Sequence, residues 1–405
     1  MHAKIINKSF TKHLLRVNMQ HSDRSSIIAT GLAMFSMFFG AGNVVFPLAL
    51  GQYAQSMNFF AIMGLLITAV GVPFTGLIAM MLFNGDYKKF FDRIGKVPGF
   101  LVSAAIMGLI GPFGALPRCI TLSYSTIKMY LPEMSLILFS SISCLIILAL
   151  TIRRNKILEV LGYILTPFLI GSLAIIIIKG LIDSPAAPVV DYSQAAIFFK
   201  GLTEGYQTMD LLGAFFFSSV VLTCLGKDLS RGQNSKRLIR LALLASCIGA
   251  FLLALTYIGF SYAAAFNSLS LAGVNKDELA GKIAVLVLGP YASIVAVLAV
   301  SLACLTTAIA LCSVFAEFIH KDVTANKVSY EMALVGTLII SFMVSMLDFT
   351  GIAQILLPIL HVCYPALIVL SVLNILYKLY NFQSVKVPVF VVFFVSLISY
   401  LIAIT

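Results

Sequence analysis

Small and polar residues interrupt the first long apolar run of the chain, at Gly40, Ala41, Gly42 and Asn43. Glycine disfavours helix, asparagine offers its side chain to nearby backbone groups, and Pro47 one turn later has no backbone N–H. This pattern predicts an unwound stretch in mid-span, whose bare amides and carbonyls a bilayer tolerates only around a cavity or a ligand. A close-packing glycine face is the alternative. It explains the small residues but not the asparagine followed by proline.

A second interruption opens the sixth apolar run, where a polar island precedes continuous apolar sequence. The island contains Glu204, Gly205, Tyr206, Gln207, Thr208 and Asp210. We expect an unwound segment at 205–210. In the alternative, the span begins at Leu211 and the island lies at the membrane interface.

The eighth apolar run carries oxygen groups on one helix face, because Ala303, Thr306 and Thr307 are spaced i, i+3 and i+4. One carbonyl and two hydroxyls form half of a neutral oxygen site, which suits a hard cation such as Na⁺. Free carbonyls of Ser36 and Phe39 in the first run would complete it. Alone the pattern is weak, since membrane threonines commonly hydrogen-bond to their own helix.

Arg118 lies within the third apolar run, where a charge costs about 2.5–3.5 kcal/mol on insertion scales. We predict that it contacts Asp210, with Glu204 as a second candidate, and so ties the third span to the break in the sixth. In the alternative, Arg118 reaches the outer interface. His361 in the tenth run is a candidate proton relay, although a lone histidine in a helix is more commonly a packed core residue.

The residues named above all lie in apolar runs of about 20 residues. These runs define the class of protein. Of 405 residues, 60% are hydrophobic and 11% charged, which leaves too little polar surface for a soluble domain. Continuous runs favour spanning helices over a barrel. We predict an all-α polytopic bundle with eleven spans, at about 27–53, 59–83, 98–127, 134–152, 158–181, 201–226, 238–268, 288–317, 329–347, 352–379 and 386–404.

Basic residues orient the bundle. With the N-terminus in the cytoplasm, 21 of the 27 lysines and arginines fall at cytoplasmic positions and five at outside positions. The net charge of +11 is therefore topogenic, and no basic cluster interleaved with aromatic residues indicates a nucleic-acid surface. We expect a multi-pass protein of the cell (inner) membrane with no cleaved signal peptide and no obligate protein partner.

Other chemistries find little support in the sequence. None of the seven cysteines forms a CxxC pair, and no P-loop sequence is present to bind ATP. The ionisable residues at membrane depth do not form a catalytic set, so an enzyme is not expected. The isolated polar islands also disfavour a channel, which needs a continuous polar path.

The two interruptions lie at matching places, since spans one and six are each the first of a set of five spans. Interrupted helices at corresponding positions are typical of inverted-repeat transporters, with the substrate bound at the breaks. We predict one transmembrane domain with repeat one at about 27–181, repeat two at about 201–379 and an extra helix at about 386–404.

At these motifs the chain resembles the branched-chain amino acid:cation symporter family, which has a LeuT-like inverted-repeat fold. The resemblance is closest at 38–47 and 205–210, and it continues at Gly111-Pro-Phe-Gly-Ala-Leu-Pro-Arg118 and at Leu305-Thr-Thr-Ala308. It covers nearly the whole chain in spacing and order. Members of the family have a twelfth span and tend to carry an acid after the Ser–aromatic pair of span three, where this chain has Tyr124-Ser125.

The resemblance implies alternating-access symport of aliphatic amino acids such as leucine, isoleucine, valine or methionine, coupled to Na⁺ or H⁺. Residues 40–43 would present amides to the substrate carboxylate. Residues 205–210 would face its ammonium group and side chain through carbonyls and Tyr206. The carbonyls of Ser36, Phe39 and Ala303, with the Thr306 and Thr307 hydroxyls, would form a sodium site. A carrier for a different small solute is the alternative. Phe38, Phe39, Phe215 and Phe216 are candidates for an apolar pocket or for ordinary packing.

Overall fold

The computed structural model describes residues 26–152, 157–182, 185–228 and 235–404. Helices account for most of these residues, and no strand occurs among them. The predicted absence of a cleaved signal peptide and several basic residues behind the predicted orientation concern 1–25, 153–156 and 229–234. Those segments lie outside the described residues.

Sixteen α-helices make up the described parts of the chain. They are α1 Ser26–Phe38, α2 Ala41–Ala54, α3 Asn58–Leu66, α4 Val72–Leu82, α5 Tyr87–Phe91, α6 Lys96–Ile110, α7 Ala115–Lys128, α8 Leu136–Ile152, α9 Ile157–Ile182, α10 Gln194–Tyr206, α11 Asp210–Asp228, α12 Ser235–Phe266, α13 Leu279–Phe318, α14 Tyr330–Ser345, α15 Asp348–Tyr380 and α16 Lys386–Ile404. A π-helical turn at Ile67–Gly71 joins α3 to α4, and another at Ile319–Val323 follows α13.

The helices lie where the eleven spans were predicted. Spans one, three and six are each two helices separated by a short break, and span two is α3 with α4. Among the described residues, six helical runs are long and apolar enough to cross a membrane alone, and five shorter apolar helices supply the remaining spans. The prediction of a polytopic all-α membrane protein is confirmed.

Two features of the spans were not predicted. The third span is broken at 111–114, between α6 and α7, where Gly111-Pro112-Phe113-Gly114 interrupts the helix. At the eighth span, α13 begins nine residues earlier than expected and bends at Gly289, whose φ of 79° is non-helical, just before Pro290.

The second helix of span one lies at the centre of the bundle. Twelve of the 14 residues of α2 are buried, so this helix is enclosed on every side. It packs against α12, α10, α7 and α13. In contrast, α16 leaves most of its apolar surface uncovered by protein, as expected of a helix that faces lipid.

Small residues allow α10 to approach α3 backbone to backbone. A β-carbon placed on Gly201 would lie 2.0 Å from the carbonyl oxygen of Ala61, and one on Gly64 would lie 2.2 Å from that of Phe198. Helices in membranes commonly use glycine for such close contacts. This contact fixes the end of α10, where the break in span six begins.

Candidate functional site

The break in span one is short and is closed by an asparagine side chain. Helix α1 ends at Phe38, Phe39 and Gly40 are non-helical, and α2 starts at Ala41. The backbone N–H of Gly40 donates to Asn43 Oδ1 over 3.1 Å, so the asparagine caps the new helix. The expected unwinding is therefore present, but it covers 39–40, and residues 41–43 form the first turn of α2.

Pro47 lies inside α2 rather than at the edge of the break. Proline removes one backbone donor from the helix interior, and in a membrane protein such a position is tolerated when the surrounding helices cover it. Pro47 is buried, which fits this condition.

The break in span six occupies residues 207–209. Helix α10 ends at Tyr206, and α11 starts at Asp210. Met209 has a φ of 63°, a left-handed conformation that is uncommon for a residue with a side chain. The Thr208 hydroxyl donates to the Gly205 carbonyl oxygen over 2.9 Å, which satisfies one group freed by the break. Such conformations persist where the surrounding structure enforces them, commonly at functional sites.

The two breaks meet at Asp210. Asn43 Nδ2 donates to Asp210 Oδ2 over 2.6 Å, and the Tyr257 hydroxyl of α12 donates to the same oxygen over 3.0 Å. Asn43 Nδ2 also contacts the Tyr257 hydroxyl. Gly42 allows the close approach, because a β-carbon there would lie 3.0 Å from Thr208 Cα. A single polar cluster thus joins spans one, six and seven.

A cavity of about 40 Å³ lies beside this cluster. Its lining consists of Met37, Phe38, Gly40, Ala41, Gly42, Asn43, Ile110, Ala115, Arg118, Cys119, Thr208, Met209, Asp210, Gly213, Phe217, Thr307 and Leu311. By the usual minimum of about 10–15 Å³ per water, the volume holds about three waters. A larger ligand therefore requires side chains to move, and the two methionines of the lining are flexible enough to do so.

Only part of the predicted substrate site lines this cavity. Gly40, Ala41, Gly42, Asn43, Thr208 and Asp210 do so. Gly205, Tyr206 and Gln207 do not. The Tyr206 ring instead lies 4.8 Å from the Tyr364 ring and 6.2 Å from the His361 ring, between centroids.

Gly205 lies at a close contact between helices, and Gln207 binds the side chain of Arg118. A β-carbon on Gly205 would lie 1.9 Å from Thr68 Oγ1 of the π-helical turn in span two. Thr68 Oγ1 in turn donates to the Leu202 carbonyl oxygen over 2.9 Å. Gly205 therefore lets span two reach the end of α10, whereas Gln207 holds Arg118.

Arg118 joins the third span to the break in the sixth, but through Gln207. Its Nη1 donates to the Gln207 carbonyl oxygen over 2.9 Å, and its Nη2 donates to Gln207 Oε1 over 2.8 Å. No ion pair links it to Asp210, so the predicted Arg118–Asp210 contact is wrong. The reason is that the break frees the Gln207 carbonyl, and a guanidinium binds such an acceptor together with the adjacent side-chain oxygen.

The candidate cation ligands divide into two groups. Thr307 lines the cavity, and a β-carbon on Gly40 would lie 3.2 Å from its Cγ2, so spans one and eight touch there. The Thr307 hydroxyl is buried and has no hydrogen-bond partner. Thr306 Oγ1 instead donates to the Ala303 carbonyl oxygen over 2.8 Å. Ser36 lies in the last turn of α1, where carbonyls lack partners within their helix, and Phe39 lies in the break.

An orphaned buried hydroxyl beside a helix break fits a cation ligand, since unpaired buried polar groups are rare and costly. The described residues contain no group of three or more histidine, cysteine or acidic side chains that could hold a metal ion. The candidate ligands beside Thr307 are instead hydroxyl and carbonyl oxygens, which are ligands that suit a hard cation such as Na⁺.

Ion pairs and hydrogen bonds between helices, called ties below, lie on either side of the cavity. Glu204 Oε1 pairs with Lys200 at 3.0 Å and with Lys276, in the connection from α12 to α13, at 3.2 Å. Toward the opposite ends of the helices, Asp322 accepts a hydrogen bond from the Tyr87 hydroxyl and pairs with Lys88 at 2.5 Å. Burial and the neighbouring Asp322 carboxylate raise the pKa of the Tyr87 hydroxyl well above its ordinary value. Tyr87 therefore stays protonated and acts as the donor.

Several lining residues could not be identified as site residues from the sequence. Met37, Ile110, Ala115, Cys119, Gly213, Phe217 and Leu311 are ordinary apolar or small residues of spans one, three, six and eight. Of the four phenylalanines considered for the pocket, only Phe38 lines the cavity. Tyr257, which binds Asp210, lies in the long and mainly apolar helix α12 and was not identified as a site residue.

Broken helices that meet around a buried cavity, within an all-helical bundle, are typical of secondary transporters. Solved structures with a similar fold include the following two. MhsT in complex with L-phenylalanine has a TM-score of 0.58 at 15% identity, with 93% of this chain and 97% of that chain covered. A Na⁺-coupled sialic acid symporter has a TM-score of 0.53 at 13% identity, with 93% and 89% covered.

The sequence defines the family within that class. The family described as branched-chain amino acid transport protein matches residues 23–405, and the chain belongs to this family. It is 33% identical over 353 residues to the branched-chain amino acid permease BrnQ of Bacillus subtilis, covering 84% of this chain and 79% of the relative. It is 32% identical to the branched-chain amino acid transport system 3 carrier protein of Pseudomonas aeruginosa, covering 85% and 79%. These relatives are permeases and carriers, so the chain is a multi-pass membrane transporter and not an enzyme.

Proposed function

We propose that this transporter imports branched-chain and similar aliphatic amino acids, namely leucine, isoleucine, valine and methionine, across the cell (inner) membrane together with Na⁺. The observation that carries the proposal is the meeting of two helix breaks around one buried cavity that is part apolar and part polar. The names of the relatives support the substrate class. The N-terminus lies in the cytoplasm in this proposal, in agreement with the distribution of basic residues.

The lining of the cavity suits an aliphatic zwitterion. Phe38, Ile110, Phe217 and Leu311 provide apolar surface for a branched side chain. The start of α2 offers backbone amides and the positive end of a helix dipole to a carboxylate. Half-helix ends in transporters of this architecture commonly bind anionic groups of the substrate in this way.

The Thr307 hydroxyl supports Na⁺ as the coupling ion. It is buried without a partner and touches the break of span one at Gly40. With Thr306 and the carbonyls of Ser36, Phe39 and Ala303, it would place a cation between spans one and eight. A bound cation would hold the two spans together, which couples its binding to the arrangement of the bundle.

Alternating access would follow from the ties on the two sides of the cavity. In this proposal Glu204 and the connection from α12 to α13 lie on the outer side, and Asp322 with α5 on the cytoplasmic side. Rocking of the bundle that contains the broken helices would open one set of ties while the other stays closed.

A proton-driven carrier is the second candidate, and Asp210 is the observation that favours it. Its carboxylate is buried, lines the cavity and joins both broken helices through Asn43. Protonation there would change the hydrogen bonding between the breaks, which is what a coupling proton must do. For the identity of the substrate, the alternative is another small solute.

Uptake of radiolabelled leucine into proteoliposomes tests the proposal. We expect an inward Na⁺ gradient to drive uptake, whereas a K⁺ gradient or a pH gradient alone does not. The double variant Thr306→Val/Thr307→Val should abolish Na⁺-driven uptake. Thr337→Val is the matched control, because Thr337 is a buried threonine of α14 outside the cavity whose hydroxyl donates to its own helix. Uptake driven only by pH would refute sodium coupling, and no leucine uptake under any gradient would refute the substrate.

A further inference from the structure

Two opposite charges line the same cavity without neutralising each other. Arg118 and Asp210 both belong to its lining, and both side chains are buried. Neither forms an ion pair within the described part of the chain. Buried charges normally have a partner of opposite sign, because desolvation of an unpaired ion is costly.

The contacts of Arg118 leave its charge unmatched. Only 2% of the residue is exposed, and the acceptors of its Nη atoms are neutral, namely the two Gln207 oxygens and the Met209 sulfur. Its Nε–H is buried and has no partner. The rings of Phe46 and Phe349 lie 5.4 and 5.6 Å from the guanidinium carbon, which is a weak interaction.

Glu204 does not supply the missing anion. Its carboxylate is bound by Lys200 and Lys276, so its charge is already matched by two cations. No ion pair joins it to Arg118. The guanidinium therefore remains a cationic group in the wall of the cavity.

The contacts of Asp210 are also neutral. Its Oδ2 accepts from the Asn43 amide and from the Tyr257 hydroxyl. These bonds orient the carboxylate but do not cancel its charge. A cationic group entering the cavity would therefore find an ordered carboxylate.

We infer that Arg118 binds the carboxylate of an amino acid in the cavity and that Asp210 binds its ammonium group. The inference rests on the proposed function, because it takes the substrate to be an amino acid. It gives Arg118 a role in selecting the substrate in addition to its contact with Gln207. A zwitterion satisfies both charges at once, whereas an amine or a carboxylic acid satisfies one and leaves the other unpaired.

The start of α2 together with Arg118 forms a more complete anion site than the start of α2 alone. The Gly40 N–H is already used by Asn43 Oδ1. The remaining first-turn amides carry a partial charge of about half a unit. A guanidinium adds a full charge and a free N–H, and hydrogen bonds between charged groups are about twice as strong as neutral ones.

Binding of three matched ligands to the purified full-length protein in nanodiscs tests the inference. The ligands are leucine, leucinamide (which lacks the carboxylate charge) and 4-methylpentanoate (which lacks the ammonium group). In the wild type we expect leucine to bind about 10- to 100-fold more tightly than either analogue. In Arg118→Gln, leucine should weaken by about that factor while leucinamide changes by less than about threefold. In Asp210→Asn, leucine should weaken while 4-methylpentanoate does not.

Gln207→Leu is the control for a purely structural role of Arg118. It removes one acceptor of the guanidinium but keeps the charge, so leucine should retain its preference over leucinamide. If Arg118→Gln does not fold, Arg118→Lys serves instead, and it should keep part of that preference. Equal weakening of leucine and leucinamide in the Arg118 variants would overturn the inference. If the wild type binds no aliphatic amino acid at all, the proposed function fails instead.

Discussion

The side-chain amide of Asn43 donates to the carboxylate of Asp210 over 2.6 Å and so joins the two broken helices of the bundle. The same asparagine caps α2 through the Gly40 N–H, and the same carboxylate oxygen accepts from Tyr257. One pair of side chains therefore determines how the first turn of α2, the start of α11 and the middle of α12 are held together. A ligand that competes for either side chain would change all three contacts.

Asn43→Ala should lower both stability and transport. The change removes the cap of α2 and a charge-assisted hydrogen bond from a buried carboxylate, at a cost of about 1–3 kcal/mol. Tyr257→Phe removes only one donor and should cost less. Thermal unfolding of the detergent-solubilised variants measures the difference. The double variant should lose less than the sum of the two single losses, because the residues share Asp210. Fully additive losses would show that the cluster does not act as a unit.

Thr307→Val should separate ion coupling from stability. Valine has the shape of threonine, and the Thr307 hydroxyl has no hydrogen bond to lose, so the melting temperature without Na⁺ should not fall. The Na⁺ concentration for half-maximal leucine uptake should rise at least about tenfold, because a ligand of the cation is gone. Thr306→Val breaks a bond to the Ala303 carbonyl and should therefore affect stability as well. An unchanged Na⁺ requirement in Thr307→Val would remove Thr307 from the cation site.

The number of spans could be predicted from sequence because the bilayer imposes the length of every apolar run. The breaks at Gly40 and at Gln207 could also be predicted, since local residue types disfavour helix there. The residues at which these breaks begin and end could not be predicted. Helix resumes at Ala41 because the Asn43 side chain caps the Gly40 amide, a choice that depends on side-chain placement. The break at 111–114 carries a clear Gly-Pro-Phe-Gly signal that we interpreted only as a family motif.

The partners of the site residues depend on the three-dimensional arrangement, which the sequence does not encode locally. Arg118 was expected to contact Asp210, yet it binds the Gln207 carbonyl that the break itself exposes. Tyr206 was expected in the site, but the end of α10 turns its ring toward Tyr364. The role of Tyr257 follows only from the packing of α12 against α2 and α11.

Gly201→Ala should be strongly destabilising, and Gly336→Ala should not. A methyl group on Gly201 would lie 2.0 Å from the Ala61 carbonyl oxygen, so α10 and α3 must separate. Overpacking of this kind costs about 1–3 kcal/mol or more. Gly336 in α14 has nothing within 4 Å of a β-carbon, and alanine there should be neutral or stabilising by up to about 1 kcal/mol. Melting temperatures in the same detergent measure both, and equal values for the two variants would contradict the packing of α10 on α3.

Alkylation of Cys119 should report the opening and filling of the cavity. Cys119 lines the cavity and is buried, so a maleimide reaches it only when the transporter opens, and the attached group should then block leucine uptake. Leucine with Na⁺ should slow the inactivation several-fold, because the ligand occupies the space that the reagent must enter. Cys119→Ala should transport leucine and resist the reagent. Inactivation that persists in Cys119→Ala would assign the sensitivity to another cysteine. Inactivation of the wild type at a rate independent of leucine would place the substrate outside the cavity that Asn43 and Asp210 border.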